Sequence, residues 1–177
     1  MTVAEILVPA PENGAEGDAE IGEQRVTIEL ITDIDHIAAH AGADEPPGTW
    51  TGLACPRHGR PLGSDVALDD VYAMLRQSGT LADYTWHAST ELGQLVYRRM
   101  VDEAMTAGPG SDRLPHPPAW WQERIDVCWS RAWQANHTFL TVYVQAGGQQ
   151  FVIASFEHNS SDHGLESPHV HNLVPVR

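Results

Sequence analysis

The 177-residue chain contains no lysine: its ten basic side chains are all arginine, set against 24 Asp and Glu, for a formal net charge of −14. Such a balance lacks the electrostatic footprint of a protein that holds nucleic acid by charge alone. Cysteine is also scarce. Cys55 and Cys128 are too few and too unpatterned for a disulfide framework, which predicts a reducing, cytoplasmic setting. No apolar run approaches the length of a membrane span, and the first twenty residues carry no basic n-region, so neither a membrane helix nor a secretory signal is expected. A Gly-rich phosphate loop, a G-x-S-x-G elbow and a C-x-x-C pair are missing as well, which removes the usual marks of nucleotide binding, serine hydrolysis and dithiol chemistry.

The acidity is unevenly placed. Residues 1–50 hold eleven Asp/Glu and one Arg, whereas residues 51–177 hold thirteen Asp/Glu and nine Arg. Residues 9–24 combine acid with Gly and Pro and bury little, the composition of a flexible segment. The expected organisation is a flexible acidic leader over residues 1–24 and a single α+β domain over residues 25–177. A basic protein surface is the partner that such a leader fits.

Val26, Ile28 and Leu30 alternate with Thr27 and Glu29, the pattern of a half-buried strand. Residues 42–63, with Pro46-Pro47-Gly48, read as a long loop. Ser64 or Asp65 caps a predicted helix to about Gln77, with Val71, Met74 and Leu75 inward and Gly79 as its stop. A second helix is expected after Ser89-Thr90, ending at Gly108-Pro109-Gly110, and a third from Pro117-Pro118 to about Ala135. Phe139–Val144, Phe151–Phe156 and His169–Val174 read as a three-strand meander. The fold class is therefore α+β, an antiparallel sheet with helices packed on one face.

Three histidines carry the chemistry. His169-Val170-His171 puts two imidazoles on one face of a strand, because side chains two apart point the same way. His158 ends the preceding apolar run, and a ten-residue connection is long enough to return the chain beside it. Three imidazoles converging from neighbouring strands make a divalent-metal site with open positions. Glu157, adjacent to His158, points to the other face of a regular strand.

His158, Pro168-His169-Val170-His171 and the apolar Leu173-Val174 that follows resemble the metal-binding motif of the HUH endonucleases, closest to mobilisation-type relaxases. The resemblance covers about residues 150–175. It implies an HUH-like fold in which the His-hydrophobe-His pair lies on a central strand and the third His on its neighbour. It further implies Mg²⁺ or Mn²⁺ held by His158, His169 and His171, polarising a phosphate of single-stranded DNA under attack by a tyrosine. Imidazole donors also suit Zn²⁺ or Ni²⁺. Relaxases keep that tyrosine near the N-terminus and rolling-circle initiators on a helix after the motif. Here the first tyrosine is Tyr72, and six residues follow His171. Tyr97 is the candidate nucleophile, with Arg98 and Arg99 beside it as phosphate contacts; Tyr84 and Tyr143 are weaker candidates.

Two alternatives stand beside this reading. One is a different His-ligated metalloenzyme acting on a small molecule. The other is a non-catalytic, relaxase-derived accessory protein, favoured by the acidity and by the unusual tyrosine placement. Cys55-Pro-Arg-His58 and the one-turn pair His36 and His40 lack the further ligands that a zinc site needs. The tryptophans at 120, 121, 129 and 133 read as the packing face of a helix.

Overall fold

The computed structural model describes residues 2–8, 24–33, 46–87, 130, 132–158 and 169–176. In chain order the strands are β1 (Thr2–Val8), β2 (Gln24–Ile31), β3 (Gly48–Trp50), β4 (Asp65–Val66), β5 (Leu81–His87), β6 (Ala154–His158) and β7 (His169–Pro175). Helix α1 (Leu68–Ser78) lies between β4 and β5. The strands form one seven-stranded sheet in the order β1-β2-β5-β7-β6-β3-β4. Every pairing in it is antiparallel. No helix among the described residues is long and apolar enough to cross a membrane.

The α+β class and the antiparallel sheet agree with the sequence reading. The helices do not share one face. Helix α1 buries Val71, Met74 and Leu75 in a cluster with Ile31, Trp50, Leu81, Phe156 and Leu173. Segment 132–140 buries Ala132, Ala135, Phe139 and Leu140 against Val26, Trp86, Val170 and Val174. Ile31, Leu81 and Leu173 have the opposite strand parity from Val26, Trp86 and Val174, so the two clusters lie on opposite faces of the sheet. Each fully buried apolar side chain contributes about 1.5–3 kcal/mol, and both faces need that cover.

Local chemistry explains α1. Asp69 and Asp70 stand in its first turn and Arg76 in its last, complementing the helix dipole. Gly79 ends it in the left-handed region, with φ 72°, and its N–H bonds the carbonyl of Leu75. The helix starts later than the sequence predicts, because Asp65 and Val66 are taken up by strand β4. Strand β3 and the short 3₁₀ turn Cys55–His58 occupy part of the stretch expected to be loop.

Two further expectations are corrected. Phe139–Val144 is helical: residues 132–139 are α-helical and Leu140–Val144 continues as a π-helical turn. The buried positions Ala132, Ala135, Asn136, Phe139 and Leu140 follow helical spacing, and this apolar period outweighs the strand preference of Thr141, Val142 and Tyr143. Within the expected leader, Thr2–Val8 is an edge strand in which Ile6 and Leu7 pair in register with Val26 and Arg25 of β2. Residues 9–23, the predicted helix from Ser89 and most of that from Pro117 lie outside the described residues.

Strand β5, not foreseen in the sequence, pairs β2 on one side and β7 on the other. Strand β7 is consequently central, bonded by β5 and β6 along its length. Ladders on both edges make it a rigid platform for side chains.

Candidate metal centre

Alternation along β7 sends Val170, Asn172 and Val174 to the face covered by segment 132–140, and His169, His171 and Leu173 to the face that carries α1. Strand β6 returns beside β7 with His158 directly opposite His169 and Phe156 opposite His171. The three imidazoles thus meet on one face. One ring nitrogen from each of His158, His169 and His171 lies within 4.8 Å of the other two. The ring centroids are 5.5 Å apart for His158 and His169, 4.7 Å for His158 and His171, and 5.0 Å for His169 and His171.

The donor set fits a divalent transition metal. A triangle with 4.8 Å sides has its centre about 2.8 Å from each corner. Metal–imidazole bonds are about 2.0–2.1 Å, so small rotamer adjustments close the difference. His158 and His171 are buried and His169 is half-buried.

Asp83 supplies what the sequence reading lacked. Its carboxylate Oδ2 lies 2.7 Å from Nδ1 of His171. Thr85 Oγ1 is 3.0 Å from the same nitrogen and donates to Oδ1 of Asp83 at 3.2 Å. An ionised carboxylate only accepts, so Nδ1 of His171 carries the proton. Nε2 of that ring, buried within the protein, is then the atom with a lone pair to offer a metal. Asp83 and Thr85 both lie on β5, one strand away from the histidine pair. The alternation Leu81, Asp83, Thr85, His87 along a β-rich stretch after Gly79 is the signal that would have found them.

Among the other candidates, Glu157 turns to the opposite face as expected, where its carboxylate accepts a hydrogen bond from Trp133 Nε1. Tyr84 lies on that face too, with its ring 6.4 Å from Phe139. Tyr143 is exposed and stacks on Phe139 at 5.8 Å. Neither is brought to the histidines. Tyr97, Arg98 and Arg99 lie outside the described residues, as do His36, His40, Asp162 and His163. Cys55 is buried and its thiol points at the carbonyl of Ile153, while His58 is exposed, so this pair builds no site.

Compared with known proteins, the chain matches no family model, no curated sequence and no solved structure.

Proposed function

We propose that the chain is a divalent-metal-binding domain of the HUH type, whose metal centre engages a phosphodiester of single-stranded DNA. The observation that carries this is the convergence of His158, His169 and His171 from two adjacent strands. A His-hydrophobe-His pair on a central strand with the third His on its neighbour is the arrangement that the sequence resemblance implies.

When bound, the metal would supply a Lewis acid at a phosphate oxygen. His158, His169 and His171 would hold it from one side, leaving positions open for substrate. Asp83 would keep the His171 ring in the tautomer that binds and would strengthen its donor nitrogen. Strand transfer also needs a nucleophile, and Tyr97 is the candidate, with Arg98 and Arg99 as phosphate contacts.

A second reading, a non-catalytic accessory protein with the same metal site, is favoured by one observation. Tyr84 and Tyr143 both sit against Phe139, on the face away from the histidines. Calorimetric titration with Mn²⁺, Zn²⁺ and Ni²⁺ tests the shared part of both readings. One ion per chain is expected, and binding that persists in His169→Ala/His171→Ala would overturn the site.

A further inference from the structure

We infer that His87 is a positioning residue of this centre, holding the ring of His169 by offset stacking; the inference rests on the reading of His158, His169 and His171 as metal ligands. Antiparallel register sets His87 of β5 directly opposite His169, which in turn faces His158 of β6. Three strands therefore present one row, and its member on β5 is an imidazole outside the three-histidine motif.

The ring angles separate His87 from the ligands. The planes of His158, His169 and His171 cross at 82°, 70° and 74°, so their edges turn toward a shared centre. An imidazole lone pair lies in the ring plane, and crossed rings bring lone pairs together. His87 instead stacks on His169, with centroids 5.6 Å apart and planes only 29° from parallel. With planes so close to parallel, its ring lies alongside that of His169 and does not cross it. It also falls outside the set of ring nitrogens that lie within 4.8 Å of one another. His87 thus touches a ligand without being one.

Nε2 of His87 lies 3.5 Å from Oγ1 of Thr27 on β2, at the outer limit of a hydrogen bond, so the ring plane and not this nitrogen carries the support. The two histidines of the pair are then held in different ways. His171 is gripped through Nδ1 by Asp83 and Thr85. His169 is braced on its ring face by His87. Residues that orient a metal ligand commonly change affinity by about 10–100-fold when removed. A planar ring is all that a stacking role requires, so phenylalanine should serve in place of His87.

The test uses the full chain and Co²⁺ alone, read by calorimetry and by the visible absorption of the bound ion, which reports ligand geometry. His87→Ala should weaken Co²⁺ binding about tenfold and alter the absorption band. His87→Phe should restore affinity to within about twofold of the parent, with the parent band. Parent-like binding and spectrum in His87→Ala would overturn the inference and leave the metal site standing. A His87→Phe variant that folds, by its thermal transition, yet binds as weakly as His87→Ala would overturn it too, by showing that a His87 nitrogen is needed. Failure of the parent chain to bind Co²⁺, or unchanged binding in His169→Ala/His171→Ala, would remove the site and this inference with it.

Discussion

Oδ2 of Asp83 lies 2.7 Å from Nδ1 of His171, joining two buried side chains 88 residues apart in sequence. A carboxylate withdrawn from water is costly unless it is paired and hydrogen-bonded, and Asp83 is both, through His171 and Thr85. In the proposed metal centre the pair would act as an outer support for the His171 imidazole. Asp83→Ala is expected to lower divalent-metal affinity by about 10–100-fold, measured by calorimetry. An Asp83→Ala variant that keeps its cooperative melt and binds metal as the parent does would deny Asp83 that role.

Metal binding should be visible in stability. A ligand at about 100 times its Kd stabilises the native state by about 2.7 kcal/mol. For a chain of this size that corresponds to a rise in Tm of about 5–10 °C. Chelator should reverse the rise, and His158→Ala, His169→Ala or His171→Ala should each abolish most of it. A Tm indifferent to both metal and chelator would argue against a built site.

The opposite face of β7 carries a polar lock. Asn136 Nδ2 donates to Asn172 Oδ1 at 3.1 Å, and Asn172 Nδ2 donates back to Asn136 Oδ1 at 2.9 Å. Ser155 Oγ donates to Asn172 Oδ1 at 2.8 Å, and Asn172 Nδ2 also reaches the carbonyl of Tyr84 at 2.9 Å. Asn136→Ala should cost about 1–3 kcal/mol in urea unfolding, because it leaves the buried Asn172 amide short of partners. Asn136→Ala/Asn172→Ala should cost less than the two single changes together, as expected for residues in contact. Strict additivity would show that they act independently.

Strand β1 covers one edge of β2. Removing residues 1–8 should expose the unpaired backbone of β2, lower Tm by about 5–10 °C and promote self-association. Scanning calorimetry and light scattering measure both effects. An unchanged Tm in a monodisperse truncated protein would show that the edge strand contributes little.

With single-stranded DNA and Mn²⁺, the chain alone is expected to leave no denaturant-stable protein–DNA adduct. Tyr84 and Tyr143 face away from the histidines, and a net charge of −14 opposes hold on a polyanion. Denaturing electrophoresis with labelled oligonucleotides decides this. An adduct that disappears in Tyr97→Phe and in His169→Ala would establish nicking and assign its nucleophile.

Local spacing determined a definite part of this protein. The parity of His169 and His171, the return of His158 beside them and the outward turn of Glu157 follow from the period of two in a strand. The apolar positions Val71, Met74 and Leu75 with Gly79 after them specified α1, because a helix buries one stripe and ends where a left-handed residue is available. Tertiary structure decided the rest. Segment 139–144 has strand-like residues, yet it is helical because Phe139 and Leu140 complete a buried stripe against Val26, Val170 and Val174. Leu30, in step with Val26 and Ile28, is exposed, while Ile31 is buried on the other face under α1. The alternation of Leu81, Asp83, Thr85 and His87 marks a strand, but nothing local says which strand it pairs with. Asp83, Thr85 and His87 join the histidines only because β5 pairs with β7, a contact between strands more than eighty residues apart, and register between distant strands is set by packing on both faces rather than by local pattern.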